Sequence, residues 1–292
     1  MLISYTTKIV ANLEEDTVIV ILGSKGNLSR ALQKDRGLFQ VIERSDFWSS
    51  DSVEVSISRL EKKITEVLSN SFQEIVIINT IGLVDPEQDL ETLLKVNSIF
   101  PSQLQLLCNS LQTKLVTLGS VYEENPKLLN SNRYLYSKNN FVNWLQNDNP
   151  ERNFSLHLQF HSWYGGVNNH KHMFLPQLFE SIKSNCNFQL NNPALKREFH
   201  HVDDDAAIVL KLARSSEVGK IGISSGDILK LGTVALEVLE HFQMGHKLFV
   251  NEESSVDNLE WVEQFRALDT EKFRPTIEGI VMDFRYKLGL AI

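Results

Sequence analysis

At 292 residues, 42% of them hydrophobic, the chain can bury a large α/β core without covalent staples, as one unit or as a main domain with a smaller lobe. Its formal net charge of −8 disfavours nonspecific attraction to nucleic acid or anionic lipid, while leaving room for a local basic pocket that holds one diphosphate. The two cysteines, Cys108 and Cys186, lack metal-ligand spacing, and no run approaches the roughly 18 apolar residues of a membrane span, so a soluble cytoplasmic protein with no metal and no membrane partner is expected.

Residues 1–16 start with an apolar stretch too short for a signal peptide and carry no chemistry; they are expected to pack beside the first strand or to fray. From Thr17 to Gln33 the run Val18-Ile19-Val20-Ile21-Leu22 breaks into Gly23-Ser24-Lys25-Gly26-Asn27-Leu28-Ser29 and then Arg30-Ala31-Leu32, which reads as strand, tight turn, helix. A strand apolar at every position is buried on both faces, and a glycine-rich turn feeding a helix lets backbone N–H groups meet a phosphate. Gly23, Ser24, Gly26, Asn27 and Leu28 are therefore candidates for a dinucleotide site, against a use of the glycines for geometry alone. Ser29 stands where the usual pattern has its third glycine.

A second strand, Phe39–Arg44, ends in an acid, and Glu43 falls 20 positions after Gly23, where a ribose-binding carboxylate belongs. The alternative is a solvated strand-end charge. Arg44 beside it could hold a 2′-phosphate, so NAD and NADP both stay open. Helical periodicity at Ile57, Leu60, Ile64, Val67 and Leu68 precedes another buried strand, Ile75–Ile78, which runs into Asn79-Thr80. Strand–helix alternation implies a parallel sheet with ligands at the carboxyl ends of its strands, making Asn79 and Thr80 either cleft-lining or ordinary turn residues. A long helix is expected over Asp89–Leu111, with Leu90, Leu93, Leu94, Leu104, Leu107 and Leu111 on its apolar side. Pro101 inside it cannot donate to the Asn97 carbonyl, which predicts a kink or a bound water there.

The strand Leu115–Leu118 leads through Gly119 and Ser120 to a short polar loop and then to Tyr134-Leu135-Tyr136-Ser137-Lys138, which opens a helix. Tyr134 and Lys138 are four apart and share a helix face. An ammonium beside a phenol favours the phenolate and lowers its pKa from about 10, making the tyrosine a usable acid or base. Ser120 at the strand end is placed to share a substrate oxygen.

In this order the glycine turn, Glu43, Asn79, Asn97, Ser120 and the Tyr134/Lys138 pair resemble the extended short-chain dehydrogenase/reductases, NAD(P)-dependent epimerases, dehydratases and ketoreductases of nucleotide sugars. Later segments extend the resemblance over nearly the whole chain from residue 17: Leu156–Gly165, Arg197–Asp204, Ile223–Asp227, which resembles the family's late strand and glycine turn, and the tail Phe265–Lys272. The resemblance implies that Tyr134 moves a proton to or from a sugar oxygen, that Lys138 tunes it and binds the nicotinamide ribose, and that Ser120 orients that oxygen. Arg197 matches the arginine that grips the nucleotide diphosphate, with a structural ion pair to Asp203 or Asp204 as its alternative. Phe160 and Ser162 match positions that touch nicotinamide and sugar.

Departures bear on the reaction. The Asp-Glu pair that follows the orienting residue in the 4,6-dehydratases is replaced here by Val121-Tyr122, which argues against dehydration. Counting back from Tyr122 as in many epimerases places the orienting residue at Leu118 rather than at Ser120, and only the serine is chemically suitable. The short Ser120–Tyr134 loop resembles the 4-ketoreductase branch. Fold and function are thus expected to be a doubly wound parallel α/β (Rossmann) sheet with a second, smaller substrate-binding lobe. Residues 1–165, with a return segment near 200–226, would form the NAD(P)-binding domain, and residues 166–292 an interleaved nucleotide-sugar lobe. The leading expectation is reduction of a nucleotide-linked 4-keto-deoxysugar by a homodimer. Alternatives are an epimerase with tightly bound NAD and a non-catalytic NAD(P)-binding sensor or scaffold.

Overall fold

All five residues of Val18–Leu22 are buried, and they form the first strand of a sheet covered on both faces. The computed structural model describes residues 17–35, 37, 39–69, 74–149, 151–167, 173–251 and 273–291; the lead at 1–16 and the tail match at 265–272 lie outside the described residues. In chain order the strands are β1 (Val18–Leu22), β2 (Phe39–Ile42), β3 (Ile75–Asn79), β4 (Lys114–Ser120), β5 (Ser155–Phe160), β6 (Ser162–Tyr164), β7 (Phe188–Asn191), β8 (Lys196–Arg197), β9 (Phe199–His201), β10 (Gly219–Gly222), β11 (Leu229–Lys230) and β12 (Leu248–Asn251). The α-helices are α1 (Asn27–Leu32), α2 (Val53–Ser69), α3 (Leu90–Leu94), α4 (Phe100–Ser110), α5 (Pro126–Leu129), α6 (Arg133–Asn147), α7 (Phe174–Lys183), α8 (Val202–Ala213), α9 (Leu231–His241) and α10 (Thr276–Lys287).

Six strands pair in the order β10-β5-β4-β3-β1-β2, all parallel. From β1 the chain goes to β2 on one side and then returns to β3 on the other, so the strand order reverses between β1 and β3. That reversal splays the two connections apart and opens a crevice at the carboxyl ends. Period-two alternation divides β1 between two cores. Ile19 and Ile21 pack with Leu28, Leu32, Val202 and Val209, whereas Val20 and Leu22 pack with Phe47, Leu60, Ile64, Phe100 and Leu104. A third core, with Tyr164, Leu178, Phe188, Val234, Val238, Ile280 and Phe284, draws only on residues after β5 and joins α7, α9 and α10.

Three local expectations are corrected. The helix expected over 89–111 is broken by a π-helical turn at Lys95–Ile99, in which the Phe100 N–H bonds to Lys95 O; it sits just ahead of Pro101, where the regular ladder must fail. Leu90, expected on the apolar side, is the first residue of α3 and is 37% exposed, whereas Leu93 in the same helix is buried. The loop at Asn125-Pro126 contains the one-turn helix α5, because the Asn125 side chain caps Lys127 N–H and proline suits a first helical position. The late strand, expected at Ile223, ends at Gly222, although Ile223 N–H still bonds Gln159 O at 2.8 Å and Gly226 takes the turn with φ +78°.

Candidate active site

The crevice at the carboxyl ends is a cleft of about 1090 Å³. At one end lies the glycine turn. Gly23 has φ +88°, and a β-carbon there would stand 3.1 Å from Ile81 Cγ1 and 3.2 Å from Thr80 Oγ1, so glycine is required. Gly26 has nothing within 4 Å of the position a β-carbon would take, and with Asn27 and Leu28 it lines the cleft where α1 begins. Ser29 is fully buried and its Oγ donates to Gly23 O at 2.6 Å, closing the turn that a third glycine would leave open. Asn27 Oδ1 accepts from Val167 N–H at 3.0 Å. Ser24 Oγ donates to Glu43 Oε2 at 2.5 Å, which links the turn to the end of β2. Arg44 lies over the Trp48 ring, its guanidinium carbon 4.1 Å from the ring centre. Gly23, Ser24, Glu43 and Arg44 are not among the lining residues of the cleft, whereas Asn79 and Thr80 are. Thr80 Oγ1 donates to Leu22 O at 2.7 Å and so ties the end of β3 to the end of β1, while Asn79 Oδ1 accepts from Ile81 N–H and braces its own turn.

At the middle of the cleft stand Ser120, Tyr134 and Lys138. Asn132 caps α6 by accepting from Leu135 N–H at 3.0 Å, which fixes the first turn that carries Tyr134. Lys138 Nζ donates to Leu118 O at 2.8 Å. Ser120 Oγ accepts from Tyr122 N–H at 3.3 Å. Leu118 also lines the cleft but offers no side-chain donor, so Ser120 is the hydroxyl available at this strand end. The expected lowering of the Tyr134 phenol by Lys138 is overturned: burial pushes the phenol up, and the charge of Glu123 adds to the rise.

Glu123 is the residue that sequence reasoning missed. It is fully buried, accepts from Ser120 N–H at 3.1 Å and Gln159 Nε2 at 2.8 Å, and pairs with His157 Nε2 at 2.7 Å. Burial alone would raise its carboxyl, but His157 and Lys138 outweigh burial and hold it below the ordinary range. The signal was in β5, where His157 and Gln159 alternate in a strand whose six residues are all buried; polar side chains there need a polar partner.

Asn97, on the π-helical turn, ties the loop after β3 to α6. Its Oδ1 accepts from Leu83 N–H at 2.9 Å, and its Nδ2 donates to Leu83 O at 2.8 Å and to Ser137 Oγ at 3.0 Å. A void of about 10 Å³, room for a single water, lies among Asn79, Asn97, Pro101, Thr117 and Lys138.

The far end of the cleft holds Phe160, Ser162 and Arg197, with Tyr122, His161 and Trp163 beside them. Arg197 does not pair with Asp203 or Asp204, which instead bind Lys34 at 2.7 Å and Arg274 at 3.3 Å. Its guanidinium carbon sits 4.6 Å from the Tyr122 ring centre, and Nη1 donates to Lys196 O at 2.9 Å. Burial pushes the Tyr122 phenol up to about 12 despite Arg197. Behind them His200 joins Glu198 (3.0 Å) and Asp205 (3.1 Å), Glu198 accepts from Ser224 Oγ at 2.7 Å, and Trp163 Nε1 donates to Asp205 at 2.5 Å. Burial lowers the His161 imidazole to about 4. Among the described residues no cluster of three or more His, Cys, Asp or Glu could hold a metal, and no helix is long and apolar enough to cross a membrane.

No protein-family model and no curated protein matches the chain. Solved structures do. A dTDP-4-dehydrorhamnose reductase from Bacillus anthracis str. Ames, in complex with NADP, superposes with TM-score 0.69 at 15% identity over 93% of this chain and 99% of that one. A UDP-N-acetylglucosamine 4-epimerase from Bacillus cereus gives TM-score 0.69 at 17% identity, covering 94% and 98%. A dTDP-glucose 4,6-dehydratase from Bacillus anthracis str. Ames, in complex with NAD, gives 0.65 at 13%, covering 93% and 96%. The chain has the fold of these enzymes, the Rossmann-type α/β fold of the group its motifs resemble.

Proposed function

We propose that this protein is an NAD(P)H-dependent oxidoreductase of a nucleotide-linked sugar, and specifically a reductase of a 4-keto-deoxysugar. The observation that carries the reading is the meeting of Ser120, Tyr134 and Lys138 in one cleft, with the glycine turn at one end and Arg197 at the other. The similarity in fold to a dehydrorhamnose reductase that binds NADP supports it. Residues 1–165 with the return near 200–226 form the cofactor part in this reading, and residues 166–292 the sugar lobe. A homodimer is its assembly, with Ile99, Leu106 and Tyr136 exposed and available for burial.

The cleft fits a dinucleotide: Gly23 is held at positive φ, and Gly26 leaves open space at the start of α1 for a phosphate to approach backbone N–H groups. When bound, the reduced nicotinamide supplies the hydride. The protein's own residues do the rest. Ser120 Oγ donates to the sugar carbonyl oxygen and orients it. Tyr134 Oη gives its proton to that oxygen as negative charge develops there. Lys138, anchored on Leu118 O one helical turn along α6 from Tyr134, would hold the ribose of the bound dinucleotide. Arg197 takes two phosphate oxygens of the nucleotide with its guanidinium fork.

Tyr134→Phe should abolish turnover on 4-keto nucleotide sugars while sparing cofactor binding; surviving turnover would remove Tyr134 from the proton transfer. Mass spectrometry and absorbance of the purified protein separate the remaining readings. An exchangeable site that takes up NADH or NADPH supports the reductase. Stoichiometric NAD that leaves only on denaturation supports an epimerase, the second reading, to which the Bacillus cereus neighbour points. Binding without turnover on any nucleotide sugar leaves a sensor, and no binding of either dinucleotide removes all three.

A further inference from the structure

The end of β4 receives two opposite charges. Lys138 Nζ donates to Leu118 O at 2.8 Å, and Glu123 Oε2 accepts from Ser120 N–H at 3.1 Å, so an ammonium and a carboxylate bracket Gly119. Glu123 is held on its other side by Gln159 at 2.8 Å and His157 at 2.7 Å, and His157 Nδ1 pairs with Thr117 Oγ1 at 2.8 Å. Gly119 makes the room: a β-carbon there would fall inside contact distance of Glu123 Oε1 and His157 Nε2. The titratable and charged groups that face Glu123 are therefore Lys138 and Tyr134 from α6 and His157 from β5. From β10, Lys220 pairs with the neighbouring Glu124 instead. From β8, Arg197 lies over Tyr122.

We propose that Glu123 is a positioning residue that sets the direction of proton transfer at Tyr134. Its carboxylate offsets the Lys138 ammonium, and the cleft holds a neutral phenol ready to give a proton instead of a phenolate ready to take one. The proposal rests on the reading of Tyr134 as the proton-transfer group. An ammonium alone favours phenolate, and a carboxylate at the same strand end opposes it. Burial pushes the Tyr134 phenol up and the charge of Glu123 adds to the rise, while His157 and then Lys138 hold the Glu123 carboxyl down. Reduction needs the neutral form. Hydride from a dihydronicotinamide forms the new C–H bond and reduces the carbonyl carbon, the C=O π pair moves onto oxygen, and the Tyr134 O–H bond breaks as its proton forms the new O–H. The phenolate left behind regains a proton from solvent. An oxidising first step would need that phenolate at the outset.

The test is the phenol's own titration, which needs neither cofactor nor substrate. Phenolate absorbance is followed against pH in the protein and in its Tyr134→Phe counterpart, and the difference isolates one of the six tyrosines. Tyr134 is expected to stay protonated to about pH 10 or beyond in the native protein, and to ionise at least about tenfold more readily in Glu123→Gln, a shift of one pH unit or more. In the same variant, the fall of reduction with rising pH should begin at a lower pH than in the native protein, while the reverse oxidation gains at neutral pH, a split that a merely structural loss would not produce. An unchanged midpoint in Glu123→Gln overturns the proposal, and so does a native midpoint below about pH 9, which requires no variant to fold. Where Glu123→Gln is unstable, Glu123→Gln with His157→Gln retains an amide pair and carries the same readout. Turnover surviving Tyr134→Phe would defeat the functional reading and is scored separately.

Discussion

Asn97 Nδ2 donates to Ser137 Oγ at 3.0 Å, and Ser137 Oγ donates in turn to Tyr134 O at 2.7 Å, so one buried amide on the π-helical turn reaches the backbone of the candidate catalytic tyrosine. The same amide satisfies both backbone groups of Leu83. Asn97→Leu would strand these buried groups, each costing about 1–3 kcal/mol. We expect a loss of about 2–4 kcal/mol in denaturant unfolding and a fall in turnover larger than any rise in KM. Unchanged stability would mean the amide is not the clamp.

Ser29 replaces a glycine with a hydroxyl that closes the phosphate turn on Gly23 O and also accepts from Gln33 Nε2 at 3.2 Å. Ser29→Ala should cost about 1 kcal/mol, and Ser29→Gly about another 1 kcal/mol through the backbone freedom added inside α1. Urea unfolding reads both. A Ser29→Gly protein as stable as the parent would show that the hydroxyl bond contributes nothing.

Gly119→Ala places a methyl group against Glu123 and His157, neither of which can retreat without giving up a buried hydrogen bond. The expected cost is more than about 2 kcal/mol, seen as a lowered thermal midpoint. Tolerance of alanine would mean that the pocket under β4 yields.

Stability should depend on pH through His200. Burial alone would lower its imidazole, but bonds to Asp205 and Glu198 raise it to about 9 from an ordinary 6.5. Its contribution is fully present below about pH 6.5 and is lost as pH rises through about 9, on the order of 3 kcal/mol in all. Glu198 runs the other way: its bonds overcome burial and hold it at about 2, so its contribution is present above about pH 4.5 and is lost as pH falls through about 2. Unfolding free energy measured from pH 6 to 9.5 should decline, and His200→Gln should flatten the decline. A flat native profile would contradict the charged His200.

The elements that frame the site were legible because they are written locally. An unbroken apolar run gives β1, glycines that must turn give the loop after it, and Tyr134 and Lys138 four apart give one shared face of α6. The fold class followed from their alternation. The exposure of Leu90 did not, because it opens α3, and an i, i+4 pattern does not say where the neighbouring elements stop covering a helix end.

The sequence by itself determined the strand–helix alternation from β1 to β4, the turn after β1 and the placing of Tyr134 and Lys138 on one helix, since each depends on neighbours within a turn or two. Only the tertiary structure decided what surrounds them electrically. Glu123 meets His157 and Gln159 because β4 and β5 pair with Gly119 opposite Gln159, and His200 finds Glu198 and Asp205 where β9 turns into α8. Strand register fixes those distances, and burial, with the charge of Glu123 adding to it, pushes the Tyr134 phenol up; a reading of Tyr134 and Lys138 alone predicts the opposite direction.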